Sequence, residues 1–160
     1  MENRLSGFQS DRLFSEDDAP RRRPVPGDAS DMPGSAPTVR RVLIVEDEFI
    51  LALGIEEMVQ QFGFAVCDCV ATGPAAIAAA SRHQPDIVLM DVRLAQGSDG
   101  VETAKTILAR FGIRSIFISA HTDPATVSRM KDADPVGFLT KPCEPHLLAA
   151  LLEKAFGPIN

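Results

Sequence analysis

The 160-residue sequence has no tryptophan, no tyrosine and only three cysteines. Three cysteines cannot all pair within one chain and their spacing forms no disulfide framework, so a reducing cytoplasm is the expected compartment. No apolar run approaches the roughly 18 residues that cross a membrane, and the N-terminus lacks a secretory signal pattern. A net charge of −6 argues against a broad nucleic-acid-binding face, which needs a basic surface. We therefore expect neither a nucleic-acid nor a membrane partner.

Residues 1–40 differ in composition from the remainder of the chain. They contain five of the twelve prolines and thirteen charged residues, of which six are basic and seven acidic. The segment has no apolar periodicity and too little apolar surface to offset the entropy that is lost on ordering. The sequence therefore predicts a disordered extension over 1–40 and one folded domain over 41–158. Met32 is an alternative to Met1 as the native start.

From residue 41 onward, short apolar runs alternate with segments of helical periodicity. Strands are predicted over 41–46, 64–70, 86–90, 115–119 and 135–139. Helices are predicted over 48–62, from 72, over 99–111, from 123 and over 144–156. This alternation indicates a parallel sheet with helices on both faces, and five units are too few for a closed βα-barrel. The predicted fold class is therefore α/β with an open sheet.

Chemically reactive side chains lie at the ends of four predicted strands. They are Glu46 and Asp47 after the first strand, Asp91 after the third, Ser119 in the fourth and Lys141 after the fifth. The carboxyl ends of parallel strands meet at one edge, where open α/β sheets bind ligands. Clustered carboxylates repel one another, and oxygen ligands favour Mg²⁺ (or Mn²⁺) as the cation that removes this cost. A carboxylate, a metal, an ammonium group and a hydroxyl are the components of phosphoryl transfer.

These segments resemble the receiver domain of bacterial two-component response regulators, in its single-domain, chemotaxis-receiver-like form. The resemblance covers 41–158 and rests on Val-Glu46-Asp47, Leu-Met-Asp91, Ile-Ser119-Ala120 and Phe138-Leu-Thr-Lys141-Pro142. It implies a flavodoxin-like, five-stranded parallel sheet of order 2-1-3-4-5. The stretch 91–104 is also similar to stand-alone receivers that are paired with histidine kinases in alphaproteobacteria.

The resemblance implies a phosphoacceptor and a metal site. Asp91 would accept a phosphoryl group from a sensor histidine kinase. Asp47, Asp91 and the backbone carbonyl of Arg93 would bind Mg²⁺ (or Mn²⁺) directly, and Glu46 would be linked to the metal through water.

The resemblance also implies a conformational switch. Lys141 would pair with the phosphoryl group, Ser119 would move to hydrogen-bond it, and Phe138 would turn into the vacated space. Ala120 matches a position that is usually small and leaves the phosphoryl site open. Because the switch aromatic is Phe, it has no phenol hydroxyl, and the switch must act through packing. The surface of the fourth helix, fifth strand and fifth helix, with Leu147, is a candidate homodimer or partner face.

Two further residues are hypothesised to act on the phosphoryl group. Arg93 lies two residues after Asp91, and His121 lies two residues after Ser119. His121 is a candidate for altering acyl-phosphate hydrolysis, with an exposed loop histidine as the alternative, and Arg93 is a candidate for controlling water access to the phosphoryl group.

The three cysteines give a weaker pattern. Cys67 and Cys69 are two apart on a predicted strand, so they are expected to share a face. A metal site that also used Cys143 would lack a fourth ligand, and small apolar side chains in the core are the favoured interpretation.

Three classes of function remain under consideration. The leading hypothesis is a stand-alone receiver that signals by phosphorylation-dependent protein binding or by onward transfer to a histidine phosphotransfer protein, with no external substrate. A phosphorylation-independent interaction module would be expected to have a broken acidic cluster or to lack the lysine, whereas this sequence has the complete acidic cluster and Lys141. A haloacid-dehalogenase-like phosphatase normally has a second Asp two residues after its nucleophile, where this chain has Arg93.

Overall fold

The computed structural model describes residues 37–159. Within this range five strands alternate with five helices. The strands are β1 (Arg41–Val45), β2 (Ala65–Val70), β3 (Ile87–Asp91), β4 (Ser115–Ser119) and β5 (Gly137–Thr140). The helices are α1 (Phe49–Gln61), α2 (Gly73–His83), α3 (Gly100–Phe111), α4 (Pro124–Lys131) and α5 (Pro145–Phe156). The predicted order of elements is confirmed, and strand and helix bounds shift by at most two residues.

The five strands form one parallel sheet in the order β2-β1-β3-β4-β5. This confirms the predicted open, flavodoxin-like fold. All residues of β3 and β4 are buried, as expected for central strands that are covered on both faces. Alternate residues of β1 point into two separate cores: Val42 and Ile44 into one, and Leu43 and Val45 into the other.

Three helices begin at side chains that the sequence marks as caps. Thr72, Asp99 and Asp123 each accept backbone hydrogen bonds in the first turn of α2, α3 and α4, respectively. A cap of this kind satisfies N–H groups that have no partner within the helix. The caps fix where the loops at the carboxyl edge of the sheet end.

The prediction that Cys67 and Cys69 share a face is wrong, because β2 contains a β-bulge. The pairing of β1 with β2 shifts by one residue between Val42 and Leu43, so Cys67 is an extra residue in its strand. Cys67 therefore packs towards the core under α2 and α3, whereas Cys69 lies on the opposite face, 4.0 Å from Glu56 of α1. The two cysteines do not share a face. Burial raises the pKa of Cys69 to about 11, which keeps it protonated.

The predicted disordered extension lies largely outside the described residues, which begin at 37. Residues 37–40 are exposed and have no regular secondary structure. Across 37–159, no helix combines the length and the apolar character that a membrane crossing requires.

Candidate functional site

The sheet itself positions the charged side chains. Glu46 directly follows β1, and its N–H donates to the carbonyl of Val70 at 2.9 Å, which continues the ladder with β2. Asp91 is the last residue of β3. Lys141 follows β5, and its N–H donates to the carbonyl of Ser119 at 3.0 Å. Backbone pairing therefore brings together side chains that are up to 95 residues apart in sequence.

Three carboxylates form a cluster at this edge. Glu46, Asp47 and Asp91 each place one carboxylate oxygen within 4.8 Å of the others. Glu46 and Asp91 are buried, whereas Asp47 is exposed. Carboxylates this close repel one another when all are ionised, and burial increases that cost.

The ammonium group of Lys141 lies between the two buried carboxylates. Its Nζ is 2.7 Å from Asp91 Oδ2 and 2.8 Å from Glu46 Oε2, and it is 3.8 Å from Glu48 Oε1. The Lys141 side chain is 13% exposed, so this is a largely buried ion-pair network. One positive charge thus offsets part of the repulsion within the acidic cluster.

Burial and ion pairing act in opposite directions on these groups. Burial raises the pKa of Glu46, and the contacts with Lys141 and with the Glu48 N–H only partly offset that rise. Burial alone would lower the pKa of Lys141, but its close contacts with the Asp91 and Glu46 carboxylates outweigh this effect, so the pKa is raised. Lys141 is therefore held as a cation, and burial makes Glu46 harder to ionise than an exposed glutamate.

The donor set fits a hard divalent cation. Glu46 Oε2 is buried and accepts no well-directed hydrogen bond from the described residues, although the Lys141 charge is close to it. The neighbouring side chains of Asp47 and Asp91 also offer carboxylate oxygens, the ligand type that Mg²⁺ and Mn²⁺ prefer. The N–H of Arg93 donates to Asp91 Oδ1 at 3.2 Å, which keeps the backbone at Arg93 beside the cluster. The metal-binding role of the Arg93 carbonyl stays a prediction.

The hydroxyl of Ser119 faces the loop after β4. Its Oγ accepts the N–H of His121 at 2.9 Å and donates to the carbonyl of the same residue at 3.2 Å. Ser119 is buried, Ala120 is exposed and His121 is half-buried. The structure thus places Ser119 at the predicted edge, with its hydroxyl bonded to the loop and not to the carboxylate cluster.

The aromatic ring of Phe138 lies outside the core. Phe138 of β5 pairs in register with Phe117 of β4, so the two side chains point to the same face of the sheet. Phe117 is fully buried, whereas Phe138 is 39% exposed. The difference shows that the sheet face is covered at β4 and only partly covered at β5.

Three further residues contribute to the site, and two of them, Gly100 and Arg129, were not assigned to it from the sequence. Gly100 packs against the backbone of Asp91 so closely that an added Cβ would lie 1.8 Å from the Asp91 carbonyl oxygen. Arg129 of α4 forms an ion pair with Asp99, the cap of α3. Glu48 approaches Lys141 from the start of α1. The glycine at the first position of α3 could have been recognised from the sequence, whereas an ion pair between residues 30 positions apart has no sequence signal.

A family model for the response regulator receiver domain matches residues 42–153. The chain belongs to the response regulator receiver family. It is 31% identical to the transcriptional regulatory protein PdtaR of Mycobacterium tuberculosis over 72% of this chain and 55% of that protein. It is 30% identical to the phyllosphere-induced regulator PhyR of Methylorubrum extorquens over 76% of this chain and 45% of that protein. This receiver chain thus spans about half the length of these curated relatives.

Solved structures agree with the family and the fold. The signal receiver domain of a modulated diguanylate cyclase from Desulfovibrio desulfuricans matches this receiver with a TM-score of 0.69 and 34% identity, over 74% of this chain and 94% of that one. The receiver domain of PhyR from Erythrobacter litoralis matches with a TM-score of 0.64 and 30% identity, over 73% and 89%. Receiver domains generally bind Mg²⁺ at an acidic pocket, and this receiver has an acidic cluster at the sheet edge.

Proposed function

We propose that this receiver accepts a phosphoryl group on Asp91 from a sensor histidine kinase, in a reaction that depends on Mg²⁺ (or Mn²⁺). The observation that supports this most directly is the contact of Lys141 Nζ with Asp91 Oδ2, inside a cluster that also contains Glu46 and Asp47. A buried carboxylate beside a fixed cation and metal-binding oxygens suits attack on a charged phosphorus.

The transfer balances as a simple displacement. A carboxylate oxygen of Asp91 attacks phosphorus, the bond from phosphorus to the histidine nitrogen breaks, and the product is an aspartyl phosphate. The ammonium group of Lys141, a compact positive charge, partly neutralises the negative charge of the phosphoryl oxygens. Asp47, Asp91 and the Arg93 carbonyl would hold the divalent cation directly, and Glu46 would hold it through water; when bound, the cation supplies further neutralisation of that charge.

The switch is proposed to begin at Ser119. In this structure the hydroxyl is engaged by the backbone of His121, and the ring of Phe138 is exposed. We expect Ser119 to exchange its bonds to His121 for one to the phosphoryl group, next to the small side chain of Ala120. Phe138 then turns inward, which changes the surface of α4, β5 and α5 through packing.

Two exposed apolar regions support the proposal that this receiver binds protein partners. Phe49, Ile50 and Leu53 lie on the first turns of α1, directly after the acidic residues of the site, and are 72%, 74% and 45% exposed. A phosphodonor kinase or histidine phosphotransfer protein must approach this edge, so we assign these residues to its docking. Phe138 and Leu147 are exposed on β5 and α5, and we assign them to a downstream target or a homodimer contact.

The proposed role is a cytoplasmic signalling one without turnover of an external substrate. Output by phosphorylation-dependent binding or by onward phosphotransfer is the form that this receiver supports. A phosphorylation-independent interaction module is not favoured, because the acceptor, the acidic residues and Lys141 occur together in one cluster.

The test is the intact mass of the full chain after incubation with Mg²⁺ and acetyl phosphate. One phosphoryl group is expected on the wild type and on Asp132→Asn, a matched change at an exposed residue, but none on Asp91→Asn. Because rapid hydrolysis can hide the product, Mg²⁺-dependent beryllofluoride binding is measured in parallel. The proposal is contradicted if Asp91→Asn is still phosphorylated, or if the wild type neither gains mass nor binds the analogue.

A further inference from the structure

An ion pair connects the last turn of α4 to the start of α3. Asp99 Oδ1 accepts the N–H groups of Val101 and Glu102 at 2.9 and 3.2 Å, and so caps α3. Its other oxygen, Oδ2, binds the guanidinium of Arg129. Arg129 also lies 3.8 Å from Glu102. Both oxygens of the Asp99 carboxylate are therefore engaged, one by each helix.

Asp99 is closely linked to the backbone of the phosphoacceptor. The N–H of Gly100 donates to the carbonyl of Val92 at 2.8 Å, and the N–H of Leu94 donates to Ser98 at 3.2 Å. Gly100 itself lies against the Asp91 carbonyl with no space for a side chain. A displacement of Asp99 therefore displaces the loop that begins at Asp91.

Helix α4 has few other anchors. Of its eight residues, Met130 is buried, and Val127 is partly buried against the same core. The helix also follows directly from the loop whose backbone holds the Ser119 hydroxyl. α4 is thus tied to the site twice, through this loop and through the pair of Asp99 with Arg129.

The Asp99 carboxylate is stably ionised in this arrangement. Burial alone would raise the pKa of Asp99, but the bonds from Arg129 and from the backbone N–H groups outweigh it and lower the pKa. At neutral pH, both members of the pair are therefore charged.

We propose that the Asp99–Arg129 pair is a positioning contact that holds α4 in the present arrangement and opposes the movement that phosphorylation of Asp91 requires. This inference rests on the proposed function. Breaking the pair loosens α4 and makes the phosphorylated arrangement easier to reach. Because the two side chains are 42% and 38% exposed, the expected effect is about two- to fivefold, as for other partly exposed pairs.

The first test is amide hydrogen exchange in the full chain without phosphodonor. Arg129→Gln and Asp99→Asn are compared with the wild type, and asparagine keeps the helix cap while it removes the charge. Amides of 125–131 are expected to exchange about two- to fivefold faster in each variant, with no further increase in the double variant. Lys131→Gln, which removes a charge from the same helix outside any described ion pair, is expected to leave the exchange unchanged. Unchanged exchange in Arg129→Gln contradicts the proposal.

The second test is the affinity for beryllofluoride in the presence of Mg²⁺. Both variants are expected to bind the analogue about two- to fivefold more tightly than the wild type, whereas Lys131→Gln binds as the wild type does. A pair that merely stabilises the fold would lower the melting temperature and leave this affinity unchanged, and that result overturns the inference. If the wild type binds no analogue, the proposed function fails and the link to phosphoryl binding fails with it. Hydrogen exchange then still decides whether the pair holds α4.

Discussion

The site consists of two regions that are built differently. In the charged region, Lys141 Nζ lies 2.7 Å from Asp91 and 2.8 Å from Glu46, and both carboxylates are buried. In the responsive region, Ser119 is bonded to a loop backbone and Phe138 is partly exposed. The charged groups proposed to bind the phosphoryl group are thus already in contact, whereas Phe138, one of the two residues proposed to respond to it, is only partly packed. Such a division lets a local charge change act on an element that is free to respond.

The largest expected difference is in the stability that two neighbouring phenylalanines contribute, Phe117 in the core and Phe138 near the surface. Phe117→Ala is expected to lower the free energy of unfolding by about 3–5 kcal/mol, because it leaves a cavity in the core. Phe138→Ala is expected to cost less than about 1 kcal/mol, because much of its ring is already in water. Urea unfolding measures both. Equal losses would mean that Phe138 is a fixed part of the core and not a mobile switch residue.

Two glycines test how tightly the backbone of the charged region is packed. Gly100→Ala places a Cβ 1.8 Å from the Asp91 carbonyl oxygen, so we expect a loss of about 3 kcal/mol together with weakened Mg²⁺ binding. Gly54→Ala is the matched control, since an added Cβ there meets no atom within 4 Å. It is expected to stabilise α1 by about 0.5–1 kcal/mol. Thermal unfolding and Mg²⁺ titration give the answer, and a neutral Gly100→Ala would mean that α3 does not pack closely behind Asp91.

Removal of the lysine isolates the electrostatic contribution of the charged region. Lys141→Met leaves Glu46 and Asp91 without their cation, and we expect a loss of about 2 kcal/mol at neutral pH in the absence of divalent metal. This is less than for a fully buried pair, because the ammonium group reaches solvent. Mg²⁺ is expected to restore part of the loss by replacing the missing charge. A variant that unfolds at the wild-type temperature with and without Mg²⁺ would show that the ion pairs contribute no stability.

The raised pKa of Glu46 makes the stability of the folded protein depend on pH in a defined direction. Burial raises the pKa of Glu46 in the folded protein above its ordinary value of 4.5, so the folded state binds this proton more tightly than the unfolded chain does. The corresponding stability is fully present below pH 4.5 and is lost as the pH rises through the folded-state pKa. Glu46→Gln should abolish this decline in metal-free melting curves, and an unaltered curve would assign the decline to another group.

The smallest effects are expected for Arg93 and His121, which follow Asp91 and Ser119 by two residues. If Arg93 and His121 limit water access to the phosphoryl group, replacement of either by alanine shortens the lifetime of the phosphorylated protein. We expect about a two- to fivefold change, since neither side chain is fixed in a buried position. Release of inorganic phosphate from purified phosphoprotein measures it. Unchanged rates in both variants remove these residues from the account.

The sequence was a good guide where the signals are local. Apolar runs and capping residues such as Asp99 and Asp123 gave the order and the approximate bounds of the elements. Because parallel strands align their carboxyl ends, the element order alone brought Asp91 and Lys141 to one edge.

Features that depend on packing between distant segments were not predictable. The bulge that separates the faces of Cys67 and Cys69 arises from pairing with β1 and has no signal in β2 itself. The direction of the Ser119 hydroxyl depends on the conformation of the loop after β4. The partner of Arg129 is set by how α4 packs beside α3.

The central claim is that Asp91 is the residue that carries the phosphoryl group. The most direct measurement is borohydride reduction of the protein after incubation with acetyl phosphate and Mg²⁺, followed by peptide mass mapping. Reduction converts an aspartyl phosphate to homoserine and releases the phosphoryl group as inorganic phosphate, so the acceptor keeps a mass label. Homoserine is expected at position 91, and none in the sample without Mg²⁺. Homoserine at position 47, or a phosphorylated protein without homoserine at 91, would contradict it.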